Sequence, residues 1–441
     1  MLDVISALII LGAIMVLGFI GNLIFNRTQI PSIVWLLLFG LAIGLVFKVR
    51  TLDPDLLMTI SKFFAAVAIV IILFDGGINT DLYQLFRGAP RGLLLSVSAF
   101  SLSVLATLVI VVLLSATAVV NIPLENSVIL GIILGAIVGG TSSPIVIPLA
   151  SRLRNLQNKT KMVVSIESII TDPLCIVVVL AAVYMLTFAG GIDLSLGIRN
   201  LISTFSVGAV MGFVLGLLWL PVMHRVRKEQ FSYVITLAVV FLVYSLTALV
   251  VEVEKGGEGA GAIACLVFGL VLGNGKKVLK ILKYEGRGFE MDQETKHFHS
   301  LISFVIRTFF FVYLGIMVSF QKIEFILIGI GILVVLIAAR YAAILISTYK
   351  GGFEKDDKQT MIALMPRGLA AAILALNFGP GLVEKLMPGL EGFFEDVAFV
   401  VILGTAIICT IGVSVIAYFE KKKLETRAEQ HDKQAKTKKK G

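Results

Sequence analysis

Charge is scarce in this chain: aspartate, glutamate, lysine and arginine make up only 15% of its 441 residues. A water-soluble fold of this length would form two or three domains under a charged surface, and that fraction is too small to cover them. Cysteine is nearly missing. Cys175, Cys265 and Cys409 sit in separate apolar runs with no Cys-x-x-Cys spacing and no companion histidines, which excludes a disulfide framework and a zinc site and leaves them as inert core residues. No basic leader or small-residue cleavage site precedes the first apolar run, whose one early charge is Asp3, so a removable signal peptide is not expected.

What the chain has instead is hydrophobicity. Apolar residues make up 58% of it and the mean hydropathy is +0.98, so a bilayer must be its solvent. Thirteen apolar runs fall at 3–25, 29–47, 56–79, 92–120, 126–151, 160–189, 196–223, 230–251, 259–274, 296–320, 323–348, 359–380 and 393–419. The expected fold is an all-α integral membrane protein of about 13 transmembrane helices.

A net charge of +9 suggests a nucleic-acid partner until its distribution is read. Alternate connections carry twenty-eight of the lysines and arginines, among them Arg87, Arg91, Arg152, Lys159, Arg225, Lys276, Lys280, Lys350 and the tail from Lys421. The opposite connections hold six: Lys48, Arg50, Arg199, Lys255, Lys322 and Lys385. The positive-inside rule then places the N-terminus outside and the C-terminus in the cytoplasm, which an odd number of helices requires, and no nucleic acid is implied. Residues 1–420 read as the transmembrane domain and 421–441 as a short basic cytoplasmic tail without regular structure, close to the lipid surface.

Against this background the charges inside apolar runs stand out, because each costs about 2.5 to 3.5 kcal/mol at mid-bilayer and so needs a partner or a wet cavity. Asp75, Glu167, Asp172, Arg307, Arg340 and Arg367 are such residues. In the sixth run, Ser165, Ser168 and Asp172 recur at spacings of three and four, so a hydroxyl and a carboxylate can converge on one hard alkali cation. Glu167 lies five residues from Asp172, about 140° around a helix, which gives the two carboxylates different surroundings. Pro173 removes a backbone donor and frees the carbonyl of Ile169 beside the carboxylate, a local break that would help to hydrate it. The competing reading makes both carboxylates members of structural ion pairs.

Two runs are interrupted at their centres. Gly139-Gly140-Thr141-Ser142-Ser143-Pro144 divides the fifth and Pro366-Arg367-Gly368 divides the twelfth, and paired interruptions in two halves mark a transporter site. Five and twelve differ by seven, an odd number, so the two segments cross the membrane in opposite directions. That predicts two inverted six-helix repeats joined by the seventh helix, with core helices at about 126–189 and 323–419 flanking the site. Crossed broken helices direct partial charges of both signs at mid-membrane, and Arg367 would offset the two helix C-terminal ends there. In the third run Phe74-Asp75-Gly76-Gly77 joins an acid to two small residues that permit close helix approach.

These residues resemble the monovalent cation:proton antiporter superfamily, and in particular its NhaP-like sodium/proton antiporters, over most of the chain. Glu167-Ser168-Ile169-Ile170-Thr171-Asp172 is similar to the family's Glu-Ser-x-x-Asn-Asp, Phe74-Asp75-Gly76-Gly77 to its Phe-Glu-Gly-Gly, and Arg367-Gly368 to the Arg-Gly of its second broken helix. Leu336-Ile337-Ala338-Ala339-Arg340 resembles the helix whose arginine pairs with the motif's glutamate, which implies a Glu167–Arg340 pair. Thr171 stands in place of asparagine, and Ser142-Ser143-Pro144 in place of Thr-Asp-Pro; the Ser-Ser form resembles the potassium-efflux branch.

The resemblance implies exchange of sodium, alternatively potassium or lithium, for protons, with Asp172 carrying either a cation or proton charge as the cavity opens to one side at a time. Asp172, Ser168 and Asp75 would supply oxygens to the ion, with Thr171, Thr141, Ser142 and Ser143 around it. It further implies a homodimer, a 1:1 ratio, no fixed cofactor and no enzymatic reaction. An ion channel would need a filter motif such as Thr-Val-Gly-Tyr-Gly, and an intramembrane aspartyl protease a Gly-x-Gly-Asp; the sequence contains neither.

Overall fold

The computed structural model describes residues 2–28, 30–47, 54–116, 124–153, 156–188, 194–226, 229, 232–251, 257–281, 293–318, 320, 322–378 and 390–438, and every regular element among them is a helix. The connections with Lys48, Arg50, Lys255 and Lys385 lie outside the described residues. Eleven of the thirteen apolar runs are continuous helices: α1 (Leu2–Thr28), α2 (Ser32–Phe47), α3 (Pro54–Ile78), α4 (Leu82–Ala116), α7 (Asn158–Phe188), α8 (Leu194–Val226), α9 (Ser232–Val251), α10 (Gly257–Gly273), α12 (Gln293–Met317), α13 (Ile323–Thr348) and α16 (Phe393–Lys438). The fifth run is the broken pair α5 (Leu124–Ile137) and α6 (Ser143–Arg152), and the twelfth is the broken pair α14 (Lys355–Ala363) and α15 (Leu369–Phe378). Seven of the helices are long and apolar enough to span a bilayer by length and composition alone.

Local chemistry sets both breaks. Two consecutive glycines disfavour helix after Ile137, and Pro144 is tolerated only because it falls in the first turn of α6, where no backbone donor is needed. Pro366 pushes Met365 out of helical geometry and cannot itself continue α14. Pro173, by contrast, does not interrupt α7, which runs unbroken through it. The expected local break is absent because the packing of α7 on α4, α5 and α6 offsets the proline's cost of about 3 kcal/mol.

The packing repeats at an interval of seven runs. The third run packs on the ninth and the tenth on the second; the fourth packs on the sixth and the eleventh on the thirteenth; the fourth and eleventh pack on each other. Exchanging each run with the one seven places away maps this set of pairs onto itself, as two repeats of opposite orientation require.

Phe74 and Phe268 meet at the α3–α10 contact, with ring centroids 6.0 Å apart. Of the two small residues after Asp75, Gly77 makes the close approach: a Cβ there would stand 2.8 Å from the backbone nitrogen of Leu270, while one on Gly76 would meet nothing within 4 Å. Alanine ordinarily stabilises a helix over glycine by up to about 1 kcal/mol. Here the clash is with backbone that cannot turn aside, so Gly77→Ala is expected to destabilise by about 1 to 3 kcal/mol and to lower the thermal unfolding midpoint in detergent, while Gly76→Ala, which meets nothing, leaves it unchanged or slightly raised.

Large apolar side chains face outward along the helices, among them Phe19, Ile202, Leu249 and Val334, each more than 60% exposed. Such a surface is suited to lipid tails rather than to water. Two features depart from the run pattern. After Gly273 the chain bends by 87° into α11 (Gly275–Ile281), held by Asn274, which donates to the Thr80 carbonyl at 2.7 Å and accepts from the Leu82 N–H at 2.9 Å. The last helix, 46 residues and therefore about 69 Å long, does not end with its apolar part at Phe419 but continues through the tail to Lys438. The tail expected to lack regular structure is thus helical, since its lysines, glutamates, glutamines and alanines are all good helix formers and no proline or glycine stops it.

Candidate functional site

The two interruptions meet. The Ser142 N–H, at the start of α6, donates to the Pro366 carbonyl at 2.8 Å, and a Cβ on Gly368 would lie 2.7 Å from the Cβ of Ser142, so only glycine fits at that point of the crossing. α7 runs alongside. The Thr141 N–H donates to Thr171 Oγ1 at 3.1 Å, and the two threonine hydroxyls lie 3.4 Å apart. Ser143 Oγ donates to Asp172 Oδ2 at 3.4 Å, which sets this carboxylate, only 9% exposed, at the N-terminal end of α6, the positive end of a helix dipole.

The C-terminal ends of the broken helices need donors for their last carbonyls, and two buried arginines provide them. Arg367 Nη1 donates to the carbonyls of Gly139 and Gly140 at 2.7 and 2.9 Å, closing the end of α5. Arg340, from α13, donates to the carbonyls of Met361 and Leu364 at 2.8 to 3.0 Å, closing the end of α14. Arg340 also donates from Nη1 to Glu167 Oε1, and both side chains of that pair are at most 2% exposed. Glu167 is therefore committed to holding α7 against α13, while Asp172, on a different side of α7, faces the crossing.

A transmembrane sodium/hydrogen exchanger family model matches residues 12–421, nearly the whole chain. The chain belongs to the sodium/hydrogen exchanger family. It is therefore a multi-pass membrane antiporter, a transporter rather than an enzyme, and needs no cofactor. Relatives of this exchanger include the Na(+)/H(+) antiporter 1 of Methanocaldococcus jannaschii, 25% identical over 423 residues that span 94% of each chain. Another is the K(+)/H(+) antiporter NhaP of Alkalimonas amylolytica, 24% identical over 428 residues, 93% of this chain and 66% of that one. The structure of the sodium proton antiporter MjNhaP1 from Methanocaldococcus jannaschii at pH 8 superposes with a TM-score of 0.75 at 22% identity, covering 94% of this chain and 100% of that one, and the two share a fold.

The exchanger's structure does not gather every candidate residue at the crossing. Thr141, Ser142, Ser143, Thr171, Asp172 and Arg367 meet there. Ser168 is fully buried, and its hydroxyl turns back onto the Ser165 carbonyl at 3.0 Å. The hydrogen bonds of Asp75 run elsewhere: Asn79 Nδ2 donates to its Oδ1 at 2.9 Å and Ser300 Oγ, from α12, at 3.3 Å, with the Arg307 guanidinium within electrostatic reach. This accounts for the third arginine in an apolar run.

Sequence reasoning missed Thr405 of α16, whose Oγ1 accepts the Arg367 N–H at 3.1 Å and so anchors the second break. A lone threonine in an apolar run gives no signal, because it ordinarily bonds back to its own helix, as Thr405 also does to Val401 at 2.7 Å. It missed His299 too, a fully buried ring near the start of the tenth run, packed edge-on to Phe74 at 4.9 Å.

Proposed function

We propose that this exchanger moves sodium against protons by alternating access, with Asp172 as the single carboxylate that holds either a cation or proton charge. The observation that carries the reading is the division of labour among the buried charges. Of the charges singled out in the sequence, Glu167 is paired with Arg340, Arg367 closes the end of α5, and Asp75 is bonded to Asn79, one residue past α3, and to Ser300 of α12, which leaves Asp172 at the crossing with one hydroxyl donor, Ser143. An unpaired carboxylate inside a bilayer requires neutralisation, which a dehydrated alkali cation and a proton supply in turn. Ser143 and the crossing hydroxyls would add oxygen ligands, with Ser168 and Asp75 completing the set when the core helices move.

Potassium is the second reading. Ser142 and Ser143 leave the crossing without a second carboxylate, and a weaker field suits the larger ion; the similar protein of Alkalimonas amylolytica is a potassium/proton antiporter. The charge asymmetry supports an N-terminus outside and a cytoplasmic C-terminus, and the resemblance supports a homodimer and a 1:1 ratio.

The test is dequenching of a pH-sensitive dye in proteoliposomes carrying an imposed pH gradient, with sodium, potassium and lithium added in turn. Sodium-dependent dequenching is expected. A response to potassium alone would select the second reading, and silence towards all three ions at every pH would overturn cation/proton exchange.

A further inference from the structure

Cys175 lies one helical turn beyond Asp172 on α7 and is 1% exposed. Its neighbours separate it from an ordinary core cysteine. A Cβ on Gly140 would stand 2.5 Å from Cys175 Sγ and 3.3 Å from the Thr171 carbonyl oxygen, so the thiol rests directly on the glycine of the broken segment. The Gly140 N–H is directed at Sγ, while the Gly140 carbonyl accepts from Arg367 at 2.9 Å. One residue thus joins the thiol to the guanidinium. Sγ is also within electrostatic reach of both Asp172 and Arg367.

We propose that Cys175 is a positioning residue for exchange: its thiol props the Gly140 turn and so holds the Arg367 guanidinium away from Asp172, leaving the carboxylate open to the cation and the proton. The inference rests on Asp172 as the exchanging carboxylate. The groups facing Asp172 are Ser143 of α6 and Cys175 of its own helix; the Arg367 guanidinium is turned onto the Gly139 and Gly140 carbonyls, and the Glu167–Arg340 pair and Asp75, with Arg307 beside it, are engaged elsewhere. With the prop removed, Arg367 moves closer and its positive charge competes with both transported ions. An approach of a few ångströms at the dielectric typical of buried protein sites weakens cation binding about 3- to 10-fold.

The experiment compares wild type with Cys175→Ala, Cys175→Ser and Cys265→Ala in the proteoliposome assay, reading the KM for the transported cation, the maximal rate and the pH of half-maximal exchange. Cys265 is a control, a buried cysteine on α10 whose thiol donates to the Val240 carbonyl at 3.6 Å. Cys175→Ala is expected to raise KM about 3- to 10-fold with the maximal rate within about twofold, and to move the half-maximal pH to lower values. Cys175→Ser, which keeps a small group against Gly140, should lie between it and wild type, and Cys265→Ala should match wild type. A merely structural thiol would lower protein yield or maximal rate and leave KM and the pH profile in place; that pattern in Cys175→Ala, or in Cys175→Ser if the alanine variant does not fold, overturns the proposal. Exchange that survives Asp172→Asn would instead overturn the reading of Asp172 on which it rests.

Discussion

Replacing Asp172 with asparagine is expected to abolish cation-dependent proton movement, a loss of at least about 100-fold that brings the dye signal to that of protein-free liposomes. Asparagine matches aspartate in size and still accepts the Ser143 hydroxyl now 3.4 Å from Oδ2, so the crossing keeps its geometry. What it loses is the ability to take up and release a proton, together with the negative charge that compensates a dehydrated cation. Neither of the other two candidate carboxylates stands ready to replace it: Glu167 is held by Arg340, and Asp75 has its hydrogen bonds with Asn79 and Ser300. The variant should elute from size exclusion and unfold thermally as wild type does. Exchange persisting at more than a few per cent of the wild-type rate would place the site elsewhere, with the Asp75 cluster as the next position to mutate.

The largest stability effect is expected at the Glu167–Arg340 pair. Removing one member leaves the other charge buried without compensation, which costs about 3 to 5 kcal/mol, whereas replacing both with apolar residues is far milder. Arg340→Leu should do the greater damage of the two single changes, because it also strips the Met361 and Leu364 carbonyls of their donor at the end of α14. Each bond lost there adds about 1 kcal/mol. The double variant Glu167→Leu/Arg340→Leu should regain part of the loss but not all of it, since those carbonyls stay unpaired. Thermal unfolding of the four proteins in detergent checks this; a double variant no more stable than Arg340→Leu alone would mean that the pair contributes little and the carbonyl contacts carry the effect.

Much of this site was legible in the chain because a membrane protein displays its exceptions. Water-soluble proteins scatter polar residues everywhere, but in a run of valine, isoleucine and leucine a glutamate, an aspartate or a Pro-Arg-Gly break has a cost that demands an explanation on its own helix. Glu167, Asp172, Gly139-Gly140 and Pro366-Arg367-Gly368 could be singled out on that ground, and the interval of seven between the breaks gave their relative direction. Pro173 shows the limit of such local reasoning, since a helix supported on several sides absorbs a proline that an isolated helix would not.

The assignment of partners was legible only in part: the resemblance implied the Glu167–Arg340 pair, which the structure holds, but not the rest. Asp75 looked like a further ligand of the ion until α12, more than two hundred residues away, brought Ser300 and Arg307 beside it. Arg340 and Arg367 are alike in the sequence, each a lone arginine in an apolar run, yet one shares its charge between a carboxylate and the end of α14 while the other closes the end of α5. Thr405 and Cys175 gave no sign of lying against the crossing.

The sequence by itself determined the solvent, the number of runs, the places where two of them break and the carboxylates that sit beside a break, because each follows from the energy of a residue in its own helix and in lipid. Tertiary structure alone decided which partners Asp75 takes, which carbonyls each arginine closes and which thiol touches the broken segment. These depend on helices that meet across the membrane from opposite halves of the chain, and hydrogen bonds of about 3 Å are set by that packing, on which no local pattern reports.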